Sequence, residues 1–359
     1  MKALLPVLFW CMSVTHVIAQ QIQFNLDLSN PHTTLKLLQA DRLDDAGIRG
    51  LMALPTTPKL LRKLNIDSLD MVSALKKAKA GEKPNAKEAR LQYDMIVQNL
   101  DSMAVFIKTV EANKDRLSRD LQASLGPYFP PETKLTVNIY AMLGGWATGY
   151  TFGERDEFFI SLQKLQLDYN VLYSIAEHEL FHNAQSAYFT DNSFQERLDS
   201  LGLSADLTVL GMLENLWSEG SASYIANPDK YEQTKGIVAS FRPFQENEQR
   251  MGQAYYLFDH LLVDAYHNPE RDFDRLYGVF FSSNWDEVGY YMGYQMLNRL
   301  SKGKSEAEKA AMIQRYLKAN PLTFMRDYIA LTRVPENNYY QFSKEFERIV
   351  ERLALMAGL

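Results

Sequence analysis

Five residues constrain this chain more than any others: His178-Glu179-Leu180-Phe181-His182, inside the stretch Ser174 to Phe189. On a helix, residues four apart lie one above the other on one face, so both imidazoles can reach a single ion. Glu179 points toward the same side but too far round to be a ligand. It is placed to take a proton from a water at the ion. Ile175, Ala176, Leu180, Phe181, Ala184 and Ala187 are apolar or small and favour a buried helix. The alternative is two unrelated histidines on an amphipathic helix, in a chain that has only six histidines.

A catalytic zinc takes three protein ligands and leaves one position open. The continuation HExxHxxGxxH is not present, because Gln185 and Tyr188 stand where its glycine and third histidine would be. His260, on an aromatic helix, reads as a packed histidine. His267, before Asn268-Pro269, reads as a helix-end histidine. Glu219 is the better third ligand. It falls on the stripe Met212-Leu216-Glu219-Ser223, so an acid occupies an apolar helical face, and a buried carboxylate needs a partner such as a metal. Gly220, Ser221 and Ala222 would let this helix lie close against the helix of the two histidines. Glu214, on the neighbouring stripe with Leu210 and Trp217, is the second choice and lacks those small neighbours.

The N-terminus reads as a secretory signal: Lys2, an apolar run from Ala3 to Trp10, and Val17-Ile18-Ala19 before Gln20. The apolar run is short for a membrane span. Cys11 is the only cysteine, so the chain beyond residue 20 has none, and a transition-metal site there must use His and carboxylate. Acids outnumber bases by 44 to 38 with no basic block, which argues against nucleic acid and anionic membrane surfaces as partners. The expected location is secreted or periplasmic.

Beyond residue 20 the pattern predicts a mainly α protein with a small β-sheet, an α+β fold. Gln21 to Leu28 is a short strand or extended lead-in. Helices follow to about Gly126, including a long polar one from Asn85 to about Asn113. This region carries no catalytic constellation. Composition shifts at Gly126-Pro127-Tyr128-Phe129-Pro130-Pro131, a boundary signal. Strands are expected at 135–140 and 157–162, separated by the glycine-rich Gly144 to Tyr150. A polar connection, Asp191 to Ser204, leads to a helix over 205–226, with later helices at 248–266, 286–300, 306–319, 321–331 and 340–356. The division expected is a signal at 1–20, a helical region at 21–127, a catalytic domain at 128–304 and C-terminal helices at 305–359.

His178-Glu179-x-x-His182 followed by Trp217-Ser218-Glu219-Gly220-Ser221-Ala222 resembles the gluzincin-type metallopeptidases. It is most similar to uncharacterised secreted bacterial zinc-dependent peptidases known only as a domain of unknown function. The likeness runs over most of the chain beyond the signal, including LGGWATGY and Gly289-Tyr290-Tyr291-Met292-Gly293-Tyr294. It implies a zincin-like catalytic domain, zinc held by His178, His182 and Glu219, Glu179 as general base, and a peptide or protein substrate. It also implies that the strand before the motif helix, Glu157 to Leu162, lines the cleft and pairs with extended substrate. Two departures stand out. The spacing from His182 to Glu219 is 37 residues, longer than in the compact members. Ser223 also replaces the acid found one turn after the third ligand. For an oxyanion donor Tyr290 is preferred, Gly289 and Gly293 permitting close approach; Tyr290 and Tyr291 as core aromatics is the competing reading. Two other functions compete: a zinc-binding or scaffold protein without turnover, and a helical interaction protein with no metal.

Overall fold

The computed structural model describes residues 21–152, 154–188, 193–268, 270–282 and 286–359; the expected signal segment lies outside them. A four-stranded mixed sheet is surrounded by helices. Its strands are β1 (Gln21–Asp27), β2 (Lys134–Met142), β3 (Gly149–Tyr150) and β4 (Glu157–Ser161), in the order β1-β2-β4-β3. β1 and β2 run parallel, with Ile22 opposite Leu135, and β2 and β4 run parallel, with Ile139 opposite Phe158. Parallel neighbours need a crossover. Between β1 and β2 that crossover is the whole run of helices from Ser29 to Leu125.

Each strand's sequence matches its place. β2 alternates exposed and buried positions over its first half. β4, with neighbours on both sides, is buried at every position, and its run Phe158-Phe159-Ile160 suits two covered faces. Its one acid, Glu157, is ion-paired with Lys59. β3 is the antiparallel edge strand, Gly149 opposite Ile160 and Tyr150 opposite Phe159. The strand bordering the cleft is therefore β3, and β4, expected there, is an interior strand with no free edge.

Three helices frame the site: the motif helix (Tyr169–Tyr188), the Glu219 helix (Ser204–Ile225) and the tyrosine helix (Val288–Leu300). The small residues of the Glu219 helix work differently from expectation. A Cβ on Gly220 would collide with the backbone of Gly293, and one on Gly293 with the Leu216 carbonyl. The glycines bring the Glu219 helix against the tyrosine helix. Against the motif helix it makes polar contacts: Gln185 Nε2 donates to Ser221 Oγ at 2.7 Å and to the Ser218 carbonyl at 3.0 Å.

The long helix expected over 85–113 is broken into a turn at Glu88–Leu91 and helices at Tyr93–Val97 and Leu100–Ala112. Gln92 at φ 58° is the hinge. The reason is tertiary: the Leu91 carbonyl accepts from Gly145 N at 3.1 Å, and Leu91 and Tyr93 are buried beneath the glycine-rich loop. A Cβ on Gly144 would sit 3.1 Å from the Tyr93 ring. Likewise, the helix expected at 248–266 divides into Arg242–Gln249 and Met251–His267. The expected polar connection contains the helix Ser193–Ser200, which buries Phe194 and Leu198. Among the described residues no helix is long and apolar enough to cross a membrane.

Candidate metal centre

The motif helix is held from behind before it presents anything to the cleft. Glu177 is fully buried and accepts hydrogen bonds from the Ser124 and Tyr231 hydroxyls. Asn183 Nδ2 donates to the Glu157 carbonyl at 3.2 Å, tying the helix to β4. With that face fixed, His178 and His182 project together, their rings edge to face with centroids 4.7 Å apart.

The Glu219 helix crosses opposite them. Nε2 of His178 and Nε2 of His182 are 3.1 Å apart, and Glu219 Oε2 lies 3.3 Å from the first and 3.2 Å from the second. Ligands about 2.0–2.1 Å from a tetrahedral ion are about 3.3 Å from one another, so the spacing is that of three corners of a zinc site. The protonation pattern fits as well. The Gln185 amide nitrogen is committed to Ser218 and Ser221, so its Oε1 faces His182 Nδ1 at 2.6 Å and accepts its proton. The Ser218 hydroxyl donates to the same oxygen at 3.0 Å. With one proton held on Nδ1, His182 turns Nε2 toward Glu219 and His178, and that is the nitrogen left to bind a cation. Two imidazole nitrogens and a carboxylate oxygen converging on one point call for positive charge there, a proton or a cation in its place. The electrostatics agree. Burial pushes the His182 imidazole down, but Glu219 outweighs it and holds the ring up at about 9. Burial works against the Glu219 carboxylate too, yet the two histidines hold it far below the usual range. The group His178, His182 and Glu219 is thus compatible with a bound zinc ion.

Beside this cluster is a cavity of about 550 Å³, open to solvent, and Glu179 lines it. A Cβ on Gly149 would lie 2.5 Å from Glu179 Oε1, so only glycine in the edge strand leaves the carboxylate its place. Burial pushes the Glu179 carboxyl up, partly offset by His178 and His182. Tyr290 also lines the cavity, its ring stacked on His178 with centroids 6.0 Å apart and 16° between planes. Burial and the nearby Glu219 raise its phenol well above the usual range, so it keeps its proton. Tyr291, one residue on, faces elsewhere and packs edge to face on Phe244.

Glu214 lines the same cavity but stands apart from the ligand cluster. It accepts from Gln195 Nε2 at 2.6 Å, and burial lifts its carboxyl to about 7. His260 and His267 are not part of the site: His260 is exposed and stacked on Tyr256, and His267 meets Glu345 at 2.7 Å. Gln185, Ser218, Lys63 and Tyr277 also line the cavity, and sequence reasoning assigned none of them a role there. Gln185 had a signal, three residues after His182 on one helical face. Lys63 had none, lying more than a hundred residues from the motif.

The site thus joins a His-His-Glu set to a flanking acid in a mainly helical α+β protein. A family model described as "putative zinc dependent peptidase (DUF5700)" matches residues 48–334, and the chain belongs to that family. No curated protein and no solved structure matches it.

Proposed function

We propose that this protein is an exported peptidase that hydrolyses peptide bonds with zinc held by His178, His182 and Glu219. The observation that carries the reading is the convergence of those three ligands beside a cavity that Glu179 enters without joining them. A zinc ion there would supply Lewis-acid chemistry, acidifying the attacking water and polarising the carbonyl. The Glu179 carboxylate takes the proton of that water and delivers it to the leaving amine nitrogen. The Tyr290 hydroxyl, kept protonated, donates a hydrogen bond to the carbonyl oxygen as negative charge builds there. Gly149 keeps Glu179 facing the reacting carbonyl, and β3, the terminal strand of the sheet, would offer backbone groups to an extended substrate. Export rests on the signal-like N-terminal segment, Lys2 followed by the apolar run Ala3 to Trp10 and Val17-Ile18-Ala19.

The test is metal content and turnover in one preparation. Protein exported from cells should carry one zinc per chain and cleave members of a peptide library; a chelator should abolish cleavage and added zinc restore it. Stoichiometric zinc with no cleavage of any peptide favours the scaffold alternative. Absence of zinc and of zinc uptake defeats both.

A further inference from the structure

Helix Thr56–Leu64 lays three cations near the cleft end of the sheet, and two are accounted for. Lys59 is ion-paired with Glu157. Arg62 is exposed, with its guanidinium 4.6 Å from the centroid of the Phe152 ring. Lys63 differs. Its ammonium stands 4.9 Å from the Tyr150 ring centroid and 5.9 Å from that of Trp146, and the residue lines the cavity of the metal cluster. Among the described residues no carboxylate lies within ion-pair distance of it. Two ring faces hold the charge in place but leave its three N–H donors for another partner. Trp146, half exposed, gives that partner an apolar surface to lie on.

The position of Lys63 within the cavity follows from its neighbours. It stands over Tyr150 of β3, the strand whose Gly149 packs on Glu179. Glu214 approaches from the Glu219 helix, bound by Gln195. The cavity thus carries, on its β3 side, a cation with no ion-pair partner among the described residues, and an acid along the Glu219 helix.

We propose that Lys63 is a specificity-determining residue that binds a carboxylate of the peptide substrate, borne either by the chain terminus or by an Asp or Glu side chain. The inference rests on the peptidase reading and deepens it. A charge-assisted pair in a partly buried cleft is among the stronger polar contacts, and Lys63 presents one ready to form. A different role, as distant counter-ion to Glu179 alone, would affect all substrates alike.

The experiment uses the zinc-loaded full chain and four matched peptides, with a free or amidated C-terminus crossed with Glu or Gln at one position. KM and kcat are measured for the wild type, Lys63→Met and Lys63→Arg, and peptide binding in a Glu179→Gln background. The wild type should prefer peptides that carry a carboxylate. Lys63→Met should raise KM and weaken binding for those peptides roughly tenfold more than for the amidated Gln peptide. Lys63→Arg should retain the preference. Dependence on the free terminus or on the Glu side chain tells which carboxylate is held. Equal losses for all four peptides, or none, overturn the inference while leaving the peptidase reading intact. So does a wild type indifferent to the four, an outcome readable even if Lys63→Met does not fold. A wild type that cleaves and binds none of them overturns both.

Discussion

Oε1 of Gln185 lies 2.6 Å from Nδ1 of His182, three residues apart on the motif helix, and the orientation of that amide is set by the neighbouring helix through Ser218 and Ser221. One side chain therefore fixes both the tautomer of His182 and the spacing between the two helices that carry the His-His-Glu group. Such outer partners change metal affinity by about 10–100-fold. Gln185→Leu should weaken zinc binding by that order in competition with a chelator, whereas Gln185→Glu, which keeps the acceptor at Nδ1 but turns an oxygen toward the Ser218 carbonyl, should recover part of it. Equal loss in both would make Gln185 a packing residue only.

Glu219 and Glu214 are on one helix and in one cavity, but only Glu219 approaches the histidines. Glu219→Gln should reduce zinc affinity by orders of magnitude, because an amide oxygen is a poor substitute for a carboxylate between two imidazoles. Glu214→Gln should leave zinc binding as it was. Isothermal titration of the two variants side by side decides between them, and the reverse order would mean the ligand set is wrong.

Glu214 makes a separate prediction about pH. Its folded carboxyl is raised by burial to about 7 from an ordinary value of 4.5. Between those values the folded protein holds a proton that the unfolded chain has released. Stability should then fall as pH rises from about 4.5 to about 7 and level off above, by roughly 3 kcal/mol at most. Glu214→Gln removes this dependence. Melting curves in excess zinc, which keeps the ligands occupied, should show wild type and variant converging near pH 4.5 and the variant the more stable above pH 7. Parallel curves would place Glu214 in water.

The motif helix was legible because its chemistry repeats with the helical period, and Glu219 because an acid interrupts an apolar stripe. Both signals are local. What the sequence could not carry was the identity of the neighbour across a contact. Gly220 announces close approach without saying to what, and its partner proved to be Gly293, not the motif helix. Gln92 breaks a helix that propensity favours, because a glycine loop more than fifty residues on takes the Leu91 carbonyl. β3 is two residues long and carries no strand pattern, yet it is the edge that borders the cleft. The outward face of a helix with no motif gave no hint that Lys63 enters the same cavity.

The last prediction separates chemistry from binding. Glu179 sits between the two histidines in sequence but does not join their cluster; it reaches the cavity along the glycine of β3. Burial raises its carboxyl, which strengthens it as a base, while the nearby histidines offset part of that rise. Glu179→Gln keeps the size of the side chain and cannot accept a proton near neutral pH. Removing a general base typically lowers the rate by about 10²–10⁴. The variant should melt no lower than the wild type, bind zinc with the same stoichiometry, and lose nearly all turnover with little change in peptide affinity. Bound zinc, melting temperature and hydrolysis of one cleaved peptide are measured together. Loss of zinc along with activity would make Glu179 part of the ligand set, and undiminished hydrolysis would mean that another group, such as Glu214 in the same cavity, takes the proton.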